Sequence, residues 1–374
     1  MLIEADVTNG EGLTGEEHAP IARPALAQPV SPGRRVWQRF RQERLGFWSL
    51  VVFLLLYGLS LGGELLCNDR PLVARYAGQW FFPVVVDYDE TAFGGDLPVS
   101  VDYLSPEIID KFDAPGNFAL FPPIRFRYDT IDYHAQLEYL PSPPTGTHWF
   151  GTDMGGYDVL SRALYGFRIS VTLAIVLAFA GTVIGIVVGA TQGYFGGRAD
   201  LFAQRLIEIW SAMPELYLII IFASIYDHSL IVLFVLLTLF GWMHLSDYVR
   251  AEFLRNRQRE YVKAARAMGL SHLQIIWRHI LPNSLTPVVT FLPFRMSATI
   301  MTMASLDFLG LGAVPPDPSL GLLLLEGKET LSAWWIAVAS FSVLALTLLL
   351  LAFMGESLRN ALKAEGSLAT RGVG

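Results

Sequence analysis

The chain has 374 residues, of which 53% are hydrophobic and only 16% are charged. A soluble chain of this length normally carries about a quarter charged residues, and the single cysteine, Cys67, excludes an internal disulfide framework. The apolar surplus is concentrated in three uncharged runs, 46–63, 169–197 and 333–355. Because each run is long enough to cross the hydrocarbon core as a helix, the sequence predicts a polytopic membrane protein and excludes the soluble classes.

The N-terminal region, 1–45, lacks the apolar core of a secretory signal peptide and carries five arginines between positions 34 and 44. We therefore expect a disordered, basic, cytoplasmic tail and no cleavable signal peptide. The first membrane span is predicted at 46–66. The region 67–166 is acidic and rich in proline and aromatic residues, with strand-like runs at Val84–Val86 and Ile124–Phe126. These features predict a small exterior domain of short strands and turns.

Residues 167–360 contain five further apolar segments, so the sequence predicts an all-α polytopic fold with six membrane spans and an insertion after the first. The segment 248–284 is basic, whereas the insertion is acidic. The positive-inside rule therefore puts 248–284 and both termini, including a short tail at 361–374, in the cytoplasm and the insertion outside. The five segments lie at 169–195, 206–226, 230–246, 285–307 and 333–355.

Four glycines recur at every fourth position of the second predicted span: Gly181, Gly185, Gly189 and Gly193. This spacing lines one face of a helix with glycine and lets a neighbouring backbone approach closely. Two interpretations stay open, namely helix packing within the bundle and a specific subunit interface.

Two charged residues fall inside predicted spans, where a charge costs at least ~2.5 kcal/mol at the helix centre. Glu215 lies in the third span and Arg295 in the fifth, each about ten residues, or roughly 15 Å, from its cytoplasmic boundary. Equal depth suggests a structural ion pair. There are two alternatives: the two residues line the transport pathway and contact charges of the peptide, or they share no role.

The loop between the fourth and fifth spans holds the most informative pattern of the chain. It predicts a short helix with a small apolar face, a turn or close approach at Gly269, and a second helix, after which Pro282 resets the chain for the next span. Small residues flanked by cations favour docking into a groove on a soluble partner over insertion into lipid. The apolar face consists of Ala264, Ala265 and Met268.

This loop resembles the cytoplasmic coupling loop of the permease subunits of binding-protein-dependent importers, whose pattern is E-A-A-x3-G-x9-I-x-L-P. Lys263 and His279 stand where that pattern has the acid and the isoleucine, and Glu260, one turn earlier, is a candidate for the missing acid. The resemblance implies that ATP-binding partner subunits contact this loop. The positions concerned are Glu260, Lys263, Ala264, Ala265, Met268, Gly269, Leu281 and Pro282.

Two further stretches resemble exterior signatures of the C-type permease in the dipeptide and oligopeptide branch of this family. His148–Arg162 reads HWFGTDMGGYDVLSR, and Leu306–Gly321 reads LDFLGLGAVPPDPSLG. In the first stretch, Asp153 and Asp158 are expected to cap or tie down a helix at Val159–Tyr165, with direct substrate contact as the alternative. The signature positions are Gly151, Thr152, Asp153 and Asp158.

The resemblance implies a type I ABC importer permease in a bacterial inner membrane, most similar to the permeases of microcin C and oligopeptide importers. Such a chain is a non-catalytic translocation subunit that binds no cofactor itself, because ATP and Mg²⁺ are bound by two ATP-binding partner subunits. The other implied partners are a second, B-type permease, a periplasmic peptide-binding protein and membrane lipid, with no nucleic acid. The implied cargo is an oligopeptide or a peptide-like compound such as microcin C.

Other sites and functions fit the residues less well. The segment Gly321–Lys328 has five residues between its glycines, not the four of a phosphate-binding loop, and Glu329 follows where Ser or Thr is needed. No histidine pair has metal-ligand spacing, so no metal site is expected. The alternatives are a secondary transporter working alone, or a membrane-anchored receptor whose exterior domain is the functional part. We expect that domain to help dock the binding protein.

Overall fold

The computed structural model describes residues 32–133, 140–226 and 230–371. The fold is mostly helical. Within the described ranges, five helices are long and apolar enough to cross a membrane, and they lie at Arg44–Leu61, Val159–Phe195, Ile231–Asn256, Val288–Phe308 and Trp334–Lys363.

The described N-terminal part is helical, which corrects the expected disorder of 1–45 for the residues from Pro32 onward. Helix α1 (Pro32–Gln42) leads into the first spanning helix, α2 (Arg44–Leu61), and a short α3 (Gly63–Leu66). Phe40 of α1 is buried, because α1 packs against the last helix of the chain. This packing gives the N-terminal segment a fixed place that its basic composition alone did not predict.

The insertion forms a small domain around one antiparallel sheet, with the strand order β2-β1-β3. Phe93 is fully buried at the centre of its aromatic core. Neither predicted strand-like run is a strand: Val84–Val86 is a turn, and Ile124 makes only an isolated bridge to Cys67. The elements are β1 (Val73–Tyr76), β2 (Gln79–Phe81), a 3₁₀ turn (Glu90–Phe93), α4 (Pro106–Asp113) and β3 (Phe118–Leu120).

The remaining described chain is a bundle of long and short helices. Its longest members run far beyond the predicted limits, since α14 continues to Arg371 and makes the described part of the predicted tail 361–374 helical. The elements are α5 (Val159–Phe195), α6 (Gly197–Ser211), α7 (Glu215–Ile225), α8 (Leu230–Gly241), α9 (Met243–Asn256), α10 (Glu260–Ala267), α11 (His272–Ile275), a π-helical turn (Ile276–Ile280), α12 (Leu281–Phe308), α13 (Leu320–Glu329) and α14 (Trp334–Arg371).

The predicted third span, 206–226, is not one continuous helix. Helix α6 ends at Ser211, and α7 begins only after Pro214. Proline has no N–H to donate and keeps the preceding residue out of the helical region, so it interrupts the backbone hydrogen bonds here. Helix α7 alone has 11 residues, which is short for a span. The count of six spans therefore stays a prediction.

The glycine stripe of α5 packs against α9 of the same chain. A Cβ atom on Gly185 would lie 3.0 Å from the carbonyl oxygen of Trp242, and one on Gly193 would lie 2.6 Å from that of Arg250. Only glycine permits backbones to approach this closely. Of the two interpretations left open by the sequence, the contacts show helix packing within the chain.

Candidate functional site

The coupling loop (248–284) forms a helix, a left-handed turn and a second helix. Helix α10 is amphipathic, with Val262 and Ala265 fully buried in a cluster that includes residues of α9 and α12. Gly269 has φ +77°, a left-handed conformation in which glycine is strongly preferred. No atom lies within 4 Å of the position of a Cβ there. The glycine therefore provides a turn and not a close approach.

The loop exposes part of the predicted docking face and buries the rest. Met268 is 73% exposed and Ala264 is also exposed, whereas Ala265 is 0% exposed. The prediction that Ala265 belongs to the docking face was wrong. Neighbouring residues of a helix point in different directions, so Ala264 is exposed while Ala265 points into the core. Glu260 and Lys263 form an exposed ion pair at 2.8 Å. The carboxylate of Glu260 therefore lies beside Lys263, the residue that stands where the resembled pattern has an acid.

The second arm of the loop continues directly into the next spanning helix. Helix α11 is followed by the π-helical turn and then by α12 without a break. Pro282 is exposed near the start of α12 and Leu281 is buried. The predicted reset at Pro282 was wrong, because Pro282 lies in the first turn of α12, where a missing N–H is tolerated, and the helical backbone continues through it. The second arm and α12 therefore form one continuous helical segment.

The first exterior signature builds a buried ionic cluster at the N-terminal end of α5. Arg162 is 1% exposed and pairs with the carboxylates of Asp153 and Glu326, the latter at 3.2 Å. Asp153 also accepts hydrogen bonds from the backbone N–H groups of Gly155 and Tyr157. Burial raises the pKa of Glu326, and the charge of Arg162 opposes that shift. The cluster joins α5 to α13.

Asp158 caps α5 and holds a buried histidine. Its Oδ1 accepts from the backbone N–H of Ser161 at 2.8 Å, and its Oδ2 lies 2.9 Å from His148 Nδ1. Burial alone would lower the pKa of His148, but the carboxylates of Asp132 and Asp158 raise it to about 9. The histidine is therefore a buried cation, stacked on Phe126 with the ring centroids 4.2 Å apart.

Gly151 and Thr152 connect the same signature to α14. The indole N–H of Trp335 donates to the carbonyl oxygen of Thr152 at 3.1 Å, and the Thr152 hydroxyl accepts from the N–H of Ser142 at 2.8 Å. Gly151 has φ +71° and its Cα faces the same tryptophan. The four signature residues thus lie in one region of the fold.

The second signature folds back on α12 through Asp307. Its carboxylate accepts hydrogen bonds from the Ser319 hydroxyl at 2.5 Å and from the N–H of Ala313 at 2.8 Å. Ser319 in turn caps α13 by accepting from the N–H groups of Gly321 and Leu322. The segment Gly321–Lys328 is thus helical, which is not the geometry of a phosphate-binding loop.

Glu215 and Arg295 do not pair in the described structure. The Arg295 guanidinium lies over Gly181 and donates from Nη2 to the carbonyl oxygen of Gly241 at 2.8 Å, where α8 ends. Glu215 begins α7 directly after Pro214. Since Arg295 donates to a backbone carbonyl and no contact joins it to Glu215 among the described residues, the ion-pair interpretation has no support. Among the described residues, no cluster of His, Cys, Asp or Glu could hold a metal ion.

The fold is a bundle of helices long and apolar enough to span a membrane, and it carries an exposed helix–turn–helix, so the structure defines a polytopic membrane protein. Residues 181–363 match the family described as "Binding-protein-dependent transport system inner membrane component", and residues 31–79 match "N-terminal TM domain of oligopeptide transport permease C". The chain belongs to this family of inner membrane permeases. It is a multi-pass inner membrane protein and a permease subunit of an ABC importer, and the resemblance found in the sequence is confirmed.

Relatives of known name match the chain over most of its length. It is 47% identical to "Inner membrane ABC transporter permease protein YejE" of Escherichia coli (strain K12), over 89% of this chain and 96% of that protein. It is 41% identical to "Peptidoglycan transport system permease protein YejE" of Agrobacterium fabrum, over 91% and 97%. It is 35% identical to "Oligopeptide transport system permease protein OppC" of Mycobacterium bovis, over 68% and 88%.

Proposed function

We propose that this chain forms the translocation pathway for oligopeptides or peptide-like compounds, together with a second, B-type permease. The names of two relatives support the substrate class. One is named as a permease for peptidoglycan transport and the other as a permease for oligopeptide transport. Peptide fragments of peptidoglycan and peptide antibiotics such as microcin C both belong to this class. The chain itself performs no catalysis.

The observation that carries the proposal is the exposed face of the coupling loop, Ala264 and Met268, held on buried Val262 and Ala265. An exposed apolar face backed by the buried core suits a groove on a soluble partner. Two ATP-binding subunits, which hold ATP and Mg²⁺, dock there on the cytoplasmic side, where both termini also lie. Their closure shifts the spans between two arrangements, a two-state change driven by nucleotide.

Site-directed cross-linking tests this proposal. Cys67 is buried and burial raises the pKa of its thiol to about 11, so the natural cysteine contributes little background. In the assembled importer, Met268→Cys is expected to cross-link to an ATP-binding subunit. Leu331→Cys, which is 83% exposed between α13 and α14, is the matched control and is expected not to cross-link. Equal labelling of ATP-binding subunits by both variants, or by neither, contradicts the proposal.

We also propose that the inserted domain faces the periplasm and helps to dock a peptide-binding protein. The sheet register aligns Trp80 and Phe118 on either side of Arg75, and the Arg75 guanidinium lies 5.7 Å from the Trp80 ring centroid. Trp80 and Phe118 are 58% and 48% exposed. Tryptophan and arginine are enriched in residues that dominate binding energy at protein interfaces.

Paired alanine variants test this surface. Trp80→Ala with Phe118→Ala is expected to weaken the affinity of the complex for its binding protein at least ~10-fold, the effect of a loss of about 1.4 kcal/mol. Val85→Ala, at an 80% exposed site in the turn beyond β2, is the control and should leave the affinity unchanged. An unchanged affinity in the double variant refutes this role of the sheet.

A further inference from the structure

Tyr194, in the last turn of α5, contacts both arms of the coupling loop. Its side chain is buried at 4% exposure. The hydroxyl lies 2.7 Å from His272 Nδ1 on α11, and the guanidinium carbon of Arg266 on α10 lies 5.3 Å from the ring centroid. Arg266 and His272 stand three residues before and three residues after Gly269. The Tyr194 side chain thus contacts one residue on each arm, and these two residues are equally far from Gly269 in the sequence.

The backbone at Tyr194 is also anchored to the loop. Arg257, at the end of α9, donates from Nη1 to the Tyr194 carbonyl oxygen at 3.3 Å. The next residue, Phe195, contacts His272 with the ring centroids 6.1 Å apart. The end of α5 is therefore joined to the loop by a hydroxyl hydrogen bond, a cation–π contact and a backbone hydrogen bond.

These contacts join parts of the chain that have no covalent connection near the loop. The arm α10 follows α9 after a short connection, and α11 runs into α12. Neither arm follows α5 directly. Tyr194 therefore links the arm that continues into α12 to the tightly packed pair of α5 and α9.

Helix α5 extends this link across the membrane. It has 37 residues, or roughly 55 Å at 1.5 Å per residue, and its other end lies in the cluster of Asp153, Arg162 and Glu326. An unbroken helix moves nearly as a rigid rod, so a displacement of Tyr194 reaches that end.

We propose that Tyr194 is a positioning residue that makes α5 follow the coupling loop when the ATP-binding subunits close. This inference rests on the proposed function, because it assigns the transmission step of that importer. With the hydroxyl removed, the α11 arm can move with α12 while the α5–α9 pair, to which α10 is joined through α9, lags. ATP is then hydrolysed without a matching passage of peptide.

The test is the number of peptides moved per ATP hydrolysed in proteoliposomes that contain the complete importer and its binding protein. A radiolabelled alanine tripeptide is the probe. Tyr194→Phe keeps the ring beneath Arg266 and removes the bond to His272. We expect this ratio to fall about fivefold, the equilibrium effect of one hydrogen bond, while the complex assembles normally and hydrolyses ATP at the wild-type rate or faster.

The matched control is Tyr57→Phe. The Tyr57 hydroxyl, on α2, lies 3.0 Å from Thr172 Oγ1 on α5, so this tyrosine also joins α5 to another part of the chain through its hydroxyl. Its ratio should stay at the wild-type value. His272→Gln combined with Tyr194→Phe should reduce the ratio no further than the single changes, since both remove one interaction.

Three results overturn the inference: an unchanged ratio in Tyr194→Phe, an equal fall in Tyr57→Phe, or failure of Tyr194→Phe to assemble, which would make the hydroxyl a folding requirement. A wild-type complex that binds no ATP-binding subunits or moves no peptide instead refutes the proposed function. The two failures are therefore distinguishable.

Discussion

Buried charges at the N-terminal end of α5 are paired within the chain. Arg162 pairs with Asp153 and Glu326, and His148 lies between Asp132 and Asp158. An ion in a low-dielectric interior is tolerated when it is paired and hydrogen-bonded. Each cation has two carboxylate partners, so removal of the cation leaves two buried carboxylates without a counter-charge.

Replacing Arg162 with glutamine is expected to destabilise the protein by about 3–5 kcal/mol, because two buried carboxylates lose their cation. Thermal unfolding of the purified importer complex in detergent measures the effect as a clear drop in melting temperature. Arg205→Gln is the control, since Arg205 belongs to an exposed i,i+3 pair with Glu208 and its side chain is 78% exposed. A surface pair of this kind contributes less than about 1 kcal/mol. Similar melting temperatures for the two variants would contradict the importance of the cluster.

The raised pKa of His148 predicts a pH dependence of stability. The folded-state pKa of about 9 lies above the ordinary value of 6.5, so protonation stabilises the folded state. The contribution, at most about 3 kcal/mol, is fully present below pH 6.5 and is lost as pH rises through 9. Melting temperatures recorded from pH 6 to 10 should fall more steeply in the wild type than in His148→Gln. Parallel curves would show that the histidine is not charged in the folded protein.

At the scale of the elements, glycine spacing decides how α5 and α9 pack. The sequence showed the stripe but left its partner open, because spacing alone does not tell which backbone comes close. The contacts with Trp242 and Arg250 supply that information. Conversely, the hydropathy of 206–226 predicts one continuous span, whereas Pro214 interrupts the helix there.

Adding a side chain to the stripe should separate α5 from α9. A Cβ on Gly189 would lie 2.9 Å from the Cβ of Val249 and 3.0 Å from the backbone nitrogen of Arg250, so Gly189→Val is expected to abolish assembly or to cost several kcal/mol. Gly58→Val is the control within a spanning helix, since no atom lies within 4 Å of that position. The yield of assembled complex from membranes measures both. Normal assembly of Gly189→Val would show that the helices can move apart freely.

At the scale of the whole molecule, the sequence predicted the class, the family and most spans, because long uncharged runs and the loop pattern are local signals. It missed Arg162, Glu326, Tyr194 and His272. Their roles depend on contacts between residues far apart in the chain: the Arg162–Glu326 bond spans 164 positions and the Tyr194–His272 bond spans 78. The one hint in the sequence was the position of Arg162 inside the first signature.

The charge distribution predicts the orientation in the membrane, and this prediction can be tested on spheroplasts. Leu331→Cys and Leu273→Cys are comparable sites, at 83% and 68% exposure. A membrane-impermeant maleimide added outside spheroplasts is expected to label Leu331→Cys and to leave Leu273→Cys unlabelled until the membrane is permeabilised. The reverse labelling pattern would show that the topology is inverted. Labelling of both variants would contradict the prediction that Leu331 and Leu273 lie on opposite sides of the membrane.

The backbone contact between α5 and α9 limits what can move during a transport cycle. Where two helices touch through glycine and carbonyl groups, little side-chain volume remains to be rearranged, and interfaces of this density do not slide gradually. These helices therefore travel as one solid piece. The helix interfaces that open and close during the cycle are therefore expected elsewhere. They are expected at surfaces lined by larger side chains or at the contact with a neighbouring subunit.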